Sequence, residues 1–209
     1  MAPRSYGQYC GLARSLDTIG DRWSLLIVRE LLLAPKRYSE LARALDGIAT
    51  NLLADRLRAL EASGVIERKV GETGGVVYTL TQWGAQLRET VESLVRWSTP
   101  LMIRGRDGDA FEPQWLAVAL AALLRGRTSR RAAEVGIDVA GHFVTLRIDT
   151  NGPHVNPEPD ERPDTILAAE PEIVLGLAAG ALTLDQALTV ASVDGDRRVV
   201  AAVFGAAST

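Results

Sequence analysis

Leucines recur at helical spacing between residues 38 and 64. Leu41 and Leu45 lie four residues apart, which predicts a short helix. A second helix is predicted over Thr50–Ala62, where apolar residues follow the i, i+4, i+7 rule at Leu53, Leu57 and Leu60. The link Asp46-Gly-Ile-Ala49 is a short turn with a glycine. Together these features predict a helix-turn-helix whose second helix enters the major groove of DNA.

The solvent side of the second helix carries side chains of the types that bind nucleic acids. Thr50 and Asn51 stand at its start, where either side chain is expected to cap the helix. Arg56 and Arg58 follow, and arginine binds both phosphates and base edges. We favour Arg56 over Arg58 for DNA contact, because Arg56 is expected to project together with Thr50 and Asn51.

Two helices are predicted upstream. The first covers residues 11–20, and its apolar side consists of Leu12, Leu16 and Ile19. The second covers residues 22–34, with Asp21 as its cap and Pro35 at its end.

A short basic segment leads from Pro35 into the helix-turn-helix. The next helix begins either at Tyr38 or with Ser39 as its cap. Because helix N-termini favour phosphate, we predict that Lys36, Arg37 and Ser39 contact the DNA backbone.

After Gly64 the pattern changes to that of strands. Residues 65–70 and 76–80 predict two strands around a glycine-rich turn at 71–75, and so a hairpin. A hairpin directly after a recognition helix is the wing of a winged helix. Arg68 and Lys69 are expected near its tip, where cations can reach the minor groove or the backbone.

The wing is followed by a long predicted helix, capped by Thr81 and closed by Thr99-Pro100. Its wide apolar surface consists of Leu87, Val91, Leu94, Val95 and Trp97. This surface and that of the N-terminal helix either fold back on their own domain or meet a second subunit. We favour a homodimer, because a two-fold dimer can read the two half-sites of a pseudo-palindromic operator.

The second half of the chain has a different pattern. An apolar helix over 114–124 is followed by strictly alternating strands over 133–139 and 143–149, with Gly141-His142 as their turn. Further strands are predicted at 154–155, 164–169 and 190–193, and helices at 172–179, 184–188 and 196–204. This order predicts an α+β domain with an antiparallel sheet. The chain therefore divides into a winged helix over 1–104 and an α+β domain over 112–209.

Composition and charge agree with this division. Residues 1–105 carry 14 Lys and Arg against 11 Asp and Glu, whereas the remainder carries 9 against 15. A basic first half and an acidic second half fit one half meeting DNA. The single cysteine, the lack of a signal-like apolar segment and the lack of an 18-residue apolar run predict a cytoplasmic protein without a membrane segment.

Catalysis has little support in the sequence. Neither histidine has a cysteine or paired carboxylate at metal-ligand spacing, and no nucleophile elbow or phosphate-binding loop is present. We therefore expect neither an enzyme nor a metal or cofactor site.

The first half resembles the HxlR-type winged-helix regulators of the broader MarR-like set. The resemblance rests on spaced motifs over residues 8–98, namely Cys10 to Trp23, Arg29-Glu-Leu31, Arg37-Tyr-Ser-Glu-Leu41, Leu53 to Leu60, and Tyr78-Thr-Leu-Thr81 with Gly84. It implies a dimeric DNA-binding transcription factor with its first and last helices at the dimer interface. It also implies a redox or electrophile sensor at Cys10, because HxlR-type proteins can use a cysteine there. The alternative is that Cys10 is a small buried residue at a helix start.

The second half resembles the sterol-carrier-protein-like fold over residues 113–206. The resemblance rests on the segment from Asp164 to Leu188 and on Val193-Asp-Gly-Asp196. It implies an apolar tunnel for a small hydrophobic molecule. We expect its lining to comprise Trp115, Leu116, Ala119, Leu120, Leu123, Val144, Leu146 and Ile166. The alternative is a closed core with a structural role.

The sequence thus predicts a homodimeric transcriptional regulator, either a repressor responding to a hydrophobic ligand or a thiol-based sensor acting through Cys10. A third interpretation is a lipid-like carrier that does not bind DNA. The predicted DNA contacts are Lys36, Arg37, Ser39, Thr50, Asn51, Arg56, Arg58, Arg68 and Lys69.

Overall fold

The computed structural model describes residues 5–72 and 74–205. The chain divides into two compact units, Met1–Val91 and Glu92–Thr209. The dividing point lies within a helix. No helix in the described ranges is both long enough and apolar enough to cross a membrane.

The N-terminal unit is a winged helix. Its elements in chain order are α1 Gly11–Ile19, α2 Ser24–Leu33, α3 Tyr38–Ala44, α4 Thr50–Ala62, β1 Ile66–Val70, β2 Val76–Leu80, α5 Gln82–Ala85 and the start of α6 Leu87–Met102. The prediction of the helix-turn-helix is confirmed, and α4 has the predicted bounds. Its core is the predicted leucine set together with side chains from α2 and β1, and the largest fully buried members are Ile27, Leu41, Leu53, Leu57, Leu60 and Ile66.

Two predicted helix caps are wrong, and one of the two open starts of α3 is confirmed. Helix α2 begins at Ser24, and the Asp21 side chain does not cap it. Ala49 precedes α4, so Thr50 and Asn51 are already helical and neither caps it. Helix α3 begins at Tyr38, the other predicted start, and the Glu40 carboxylate accepts a hydrogen bond from the Arg37 amide at 2.6 Å. The sequence contains residue types that cap helices near these starts, but their side chains do not accept from the first helical amides.

The wing is an antiparallel hairpin with an added bridge. Strands β1 and β2 pair from Ile66 opposite Leu80 to Val70 opposite Val76. The amide of Lys36 donates to the carbonyl of Tyr78 at 3.0 Å, and the amide of Tyr78 donates back at 2.8 Å. The segment before α3 is therefore hydrogen-bonded to the wing.

The long helix predicted after the wing is two helices. Thr81 does cap a helix, since its hydroxyl accepts from the Gly84 amide at 3.0 Å, but that helix is the short α5. Helix α6 restarts at Leu87 and runs through Pro100 to Met102. The prediction that Thr99-Pro100 closes it is wrong, because α6 continues for two residues past Pro100. The proline leaves one backbone hydrogen bond of the last turn unmade.

The C-terminal unit is the predicted α+β domain. Beyond the rest of α6, its elements are α7 Trp115–Leu123, β3 Ala133–Val139, β4 His142–Asp149, β5 Gly152–Asn156, β6 Ile166–Ala168, α8 Pro171–Ala178, α9 Leu184–Ala187, β7 Ser192–Asp194 and α10 Arg197–Phe204. The five strands form one sheet in the order β5-β4-β3-β6-β7.

The prediction of a purely antiparallel sheet is wrong. Strands β3 and β6 pair in parallel, with Gly136 opposite Ile166, while the other neighbours are antiparallel. The turn between β3 and β4 is Ala140-Gly141, with φ of 54° and 84°, and not Gly141-His142. Two positive φ values in succession fit the tight hairpin turns that match strand twist. Strict alternation along 133–139 would place Gly136 on the outer face, but it is buried, and a Cβ there would lie 2.9 Å from the Phe143 ring.

Candidate nucleic-acid interface

One face of α4 is open to solvent. Asn51, Asp55 and Arg58 are exposed and are spaced by four and three residues, so they form one stripe along the helix. Thr50 is also exposed, in the first turn. The opposite face is the buried leucine row. A helix with such a stripe can lie in a major groove with its polar side chains against base edges.

Arg58, and not Arg56, shares the stripe with Asn51. Its side chain is 74% exposed, and its Nη2 donates to Asp55 Oδ1 at 2.6 Å. Both side chains are more than half exposed, so this surface pair can exchange partners at low energetic cost. An acidic side chain beside phosphates is unfavourable by itself, and pairing with Arg58 offsets its charge.

Arg56 lies on the flank of α4. Its guanidinium is ion-paired with Asp21, in the link between α1 and α2, and its side chain is 25% exposed. The expectation that Arg56 projects with Thr50 and Asn51 is wrong, because five residues along a helix amount to about 140° of rotation. In this structure Arg56 joins α4 to the α1–α2 link.

Lys36 neutralises a buried carboxylate. Its Nζ lies 3.4 Å from Oε2 of Glu30, which is 0% exposed, and Nη2 of Arg29 lies 2.8 Å from Oε1 of the same group. A buried carboxylate is tolerated only when it is paired. The Arg29-Glu30 part of the sequence motif thus fixes the segment that leads into α3, and the Lys36 ammonium is largely engaged within the protein.

Arg37 and Tyr38 connect this segment to its neighbours. Arg37 is exposed, and its Nη2 donates to the Gly74 carbonyl in the wing turn at 2.7 Å. The Tyr38 hydroxyl donates to the carbonyl of Thr50 at 2.7 Å, which joins the start of α3 to the start of α4. Ser39 is exposed in the first turn of α3. The role of Tyr38 was missed from sequence, since nothing local indicates which carbonyl a tyrosine reaches.

The wing cations have carboxylate partners. Arg68 Nε lies 2.8 Å from Oε1 of Glu61, and this hydrogen bond and charge raise the pKa of Arg68 above its ordinary value. Lys69 Nζ lies 2.8 Å from Oε1 of Glu67. Both side chains are more than half exposed, so the pairs are on the surface and exchange partners at low energetic cost.

Cys10 is exposed immediately before α1. Backbone N–H groups of Ala13 and Leu12, at the helix start, lower the pKa of the thiol below its ordinary value. The interpretation of Cys10 as a small buried residue is therefore wrong.

The predicted ligand-lining residues pack in the C-terminal unit. Leu116, Leu120, Val144 and Leu146 are fully buried members of its hydrophobic core, and Ile166 is also buried. The other three, Trp115, Ala119 and Leu123, are half-buried and form a stripe on α7 at spacing four. The sequence thus identified a contiguous apolar region on α7 and the sheet.

Comparison with known proteins identifies the family of the N-terminal unit. The sequence profile of the HxlR-like helix-turn-helix family matches residues 18–104. The HTH-type transcriptional regulator YodB of Bacillus subtilis is 37% identical over 86 residues, which are 40% of this chain and 77% of YodB. YkvN of the same organism is 36% identical over 90 residues, 42% of this chain and 76% of YkvN.

The chain belongs to the HxlR-like helix-turn-helix family. It is a DNA-binding transcriptional regulator of the HxlR/MarR type. Among solved structures, reduced YodB from B. subtilis is 31% identical, covers 47% of this chain and 99% of its own, and superposes with a TM-score of 0.40. The redox regulator HypR in its reduced form is 29% identical, covers 44% and 92%, and has a TM-score of 0.41. The family match ends at residue 104, before α7.

One further role in this HxlR-type unit, that of Gly84, could not be predicted from the sequence. Thr81 and Gly84 belong to the motif after the wing. Thr81 caps α5, and a Cβ at Gly84 would lie 1.9 Å from the Val65 carbonyl oxygen. The glycine thus permits α5 to lie directly on the start of the wing. A glycine three residues after a threonine was the available signal, but the partner strand is distant in sequence.

Proposed function

We propose that this regulator acts as a homodimer that binds a pseudo-palindromic operator, with one α4 in the major groove of each half-site. The observation that carries the proposal is the exposed stripe Asn51–Asp55–Arg58, in which Arg58 pairs with Asp55. Asn51 and Arg58 are types that form paired hydrogen bonds with adenine and guanine edges, respectively. Thr50, in the first turn, is suited to phosphate or base contact.

The remaining predicted contacts surround this stripe. Arg37 and Ser39 stand at the start of α3, where backbone N–H groups favour phosphate. Arg68 and Lys69 lie on the wing and can exchange their surface carboxylates for DNA phosphates. Lys36 and Arg56 pair with carboxylates inside the N-terminal unit. In this proposal they position α3 and α4 and do not contact DNA directly.

Exposed apolar side chains support dimerisation. On α1, Leu12 and Leu16 are exposed on one side of the helix. On α6, Leu94, Trp97 and Leu101 form an exposed stripe at spacings of three and four. Amphipathic helices with exposed apolar faces bury them against a partner in symmetric dimers. Sedimentation equilibrium of the wild type and of Trp97→Ser tests this: a dimer weakened by the substitution supports the proposal, and a monomeric wild type refutes it.

DNA recognition is tested by the salt dependence of binding. Fluorescence anisotropy on a duplex selected for binding should show affinity falling steeply between low and moderate salt, as counterions are released from phosphates. Asn51→Ala and Arg58→Ala should each weaken binding, whereas Arg130→Ala, an exposed arginine in the C-terminal unit, should not. Binding that is indifferent to salt and to both α4 substitutions would favour the carrier interpretation.

For the signal, the α+β unit is the first candidate. In this proposal it is a sterol-carrier-like domain that receives a small hydrophobic molecule at the α7 stripe and the adjoining sheet, and ligand binding releases a repressor from its operator. The half-buried Trp115, Ala119 and Leu123 support this location. Native mass spectrometry tests it: a co-purifying apolar mass lost on Leu123→Asp supports the site, and a ligand-free spectrum after exposure to fatty acids and sterols opposes it.

Cys10 is a second candidate for the signal, favoured by its exposure and by the lowered pKa of its thiol. A thiol with these two properties reacts with oxidants and electrophiles. Since the chain has one cysteine, a disulfide would join two copies. If DNA release by peroxide or quinone is the same in the wild type and in Cys10→Ser, this input is refuted.

A further inference from the structure

A polar cleft lies at one end of the sheet in the C-terminal unit. It is formed where β3 and β6 begin and where β7 passes into α10, and its volume is about 680 Å³. This volume is within the range of about 300–1,000 Å³ that small-molecule sites occupy. None of the described residues that line it belongs to α7 or to the N-terminal unit. The cleft is therefore separate from the sites considered above.

Backbone contacts fix the floor of the cleft. Thr165 is buried, and its hydroxyl accepts a hydrogen bond from the Asp196 amide at 3.2 Å. Gly195, with a φ of 106°, lies so close to the neighbouring loop that a Cβ there would overlap the Asp164 carbonyl oxygen. The turn from β7 to α10 is therefore packed directly against the segment that leads into β6. A floor held in this way is formed before a ligand arrives, which lowers the cost of binding.

The segment before β3 and the loop before β6 are also held in place. The Ser129 amide donates to the Asp149 carbonyl at 2.9 Å, and the Ser129 hydroxyl donates to the Arg131 carbonyl at 2.6 Å. The guanidinium of Arg162 lies 4.9 Å from the centroid of the Phe143 ring, which is within cation–π distance. These contacts set the positions from which two cationic side chains reach the cleft.

The cleft is lined by charges of both signs that do not pair with one another. The cations are Arg131, Arg162 and Arg198, and three of the carboxylates are Glu134, Glu161 and Asp164. All six residues are exposed, and within the described part of the chain none of them forms an ion pair within 4.0 Å. The fourth carboxylate, that of Asp196, accepts from the Arg198 amide at 2.8 Å at the start of α10. Three cations and three carboxylates are thus available to a bound molecule.

This arrangement favours a ligand that carries both signs of charge. A simple anion would pair with the arginines but also approach the carboxylates, and bringing like charges together is unfavourable. A zwitterion satisfies both sets. The rest of the lining consists of small side chains, and no aromatic ring is found among the described residues that line the cleft. It therefore offers no stacking surface for an aryl group or a nucleobase.

We propose that this cleft binds a short peptide with free termini, whose carboxylate pairs with the arginines and whose ammonium group pairs with the carboxylates. A free amino acid carries the same two groups, but a cleft of this volume holds a larger molecule, of about two or three residues. The proposal is independent of DNA binding, because the cleft and its charges belong to the C-terminal unit.

The test is isothermal titration of the full-length protein with trialanine. N-acetyltrialanine lacks the ammonium group, trialanine amide lacks the carboxylate, and alanine carries both groups on one residue. We expect saturable binding of trialanine and about fivefold weaker binding of each blocked form, the factor that one exposed ion pair contributes. Alanine should bind more weakly than trialanine, because it fills less of the cleft.

Four variants test the lining itself. Arg131→Gln and Glu161→Gln should each weaken trialanine binding by about fivefold. Their matched controls are Arg130→Gln and Glu158→Gln, at exposed residues of the same types that do not line the cleft, and these should leave the affinity unchanged. All four positions are exposed, and circular dichroism checks that the variants remain folded.

Three results would overturn the binding of a zwitterion: no saturable binding of trialanine, equal binding of the blocked forms, or binding unaffected by both Arg131→Gln and Glu161→Gln. Alanine that binds as tightly as trialanine would overturn the assignment to a peptide. The titration contains no DNA, so a failure of DNA binding leaves each of these outcomes readable.

Discussion

The guanidinium of Arg56 in α4 is ion-paired with the carboxylate of Asp21, 35 positions earlier in the chain. This pair ties the recognition helix to the link between α1 and α2. Arg58, two positions on, pairs with Asp55 on the open face of the same helix. The two arginines are therefore engaged differently: Arg56 joins α4 to the α1–α2 link, and in the proposed function Arg58 presents a cation to DNA.

Substitution of the two arginines should separate these roles. Arg58→Ala is expected to cost about 1–3 kcal/mol of DNA-binding free energy, because it removes a base or phosphate contact. Arg56→Ala should cost less in binding but lower the free energy of unfolding by roughly 0.2–1 kcal/mol, the range for a partly exposed pair. Anisotropy and urea denaturation measure the two effects. Asp21→Asn should reproduce the stability loss of Arg56→Ala, and a larger binding defect in Arg56→Ala than in Arg58→Ala would reverse the assignment.

Removal of the buried carboxylate should destabilise the N-terminal unit. Glu30→Gln leaves Lys36 and Arg29 without their shared anion in a buried setting, and breaking a buried pair costs about 3–5 kcal/mol. Denaturant unfolding followed by circular dichroism measures this loss. Glu158→Gln, at an exposed position in the C-terminal unit, is the matched control and should be neutral. Equal stability of both variants would show that the Glu30 pairs contribute nothing.

Gly84 should not tolerate a side chain. A Cβ there would lie 1.9 Å from the Val65 carbonyl oxygen, so Gly84→Ala must displace α5 from the wing, at a cost of about 1–3 kcal/mol for overpacking. Gly11→Ala is the control, because nothing lies within 4 Å of a Cβ at that position. Thermal unfolding should show a lowered Tm for Gly84→Ala and an unchanged or raised Tm for Gly11→Ala. The reverse order would contradict the close approach of α5 to Val65.

The Cys10 thiol should remain reactive at lower pH than an ordinary thiol. The amides of Ala13 and Leu12 stabilise the thiolate, so its pKa is lower in the folded chain than in the unfolded chain. As the pH falls, the thiolate is lost later in the folded protein. Alkylation rates with iodoacetamide between about pH 5 and 10 report this directly, with the guanidinium-unfolded protein as the reference. Coincident profiles for the two states would remove the physical basis for sensing at Cys10.

Much of the N-terminal unit could be predicted because its signals are local. The leucine row of α4 specifies both the helix and its buried face, and Thr50–Ala62 was obtained to the residue. The glycine-rich turn likewise predicts the hairpin. The sequence does not predict which partners the polar side chains have. Aspartate is a common helix-capping residue, yet the Asp21 carboxylate pairs with Arg56, and this contact depends on the tertiary packing of α4.

The same limit applies to the sheet and to the interface. The sequence predicts a strand over 164–169 but does not indicate its direction. Its parallel pairing with β3 is seen only in the structure. At the interface, Thr50, Asn51 and Arg58 lie exposed as the sequence indicated. The expectation that Arg56 projects with Asn51 is wrong, because five residues at 100° each place the two side chains about 140° apart around the helix. The sequence does not predict that Lys36, Arg68 and Lys69 each pair with a carboxylate, because these contacts depend on the fold.

The central claim, a dimer that reads DNA through the Asn51–Arg58 stripe of α4, is tested most directly by selection from a random-sequence duplex library with the full-length protein. The account predicts enrichment of a two-fold symmetric motif with half-sites about one helical turn, or a multiple of it, apart. It also predicts that the enrichment is lost with Asn51→Ala and Arg58→Ala and retained with Arg130→Ala. A single asymmetric site, no enrichment, or enrichment that persists in both α4 variants would contradict it.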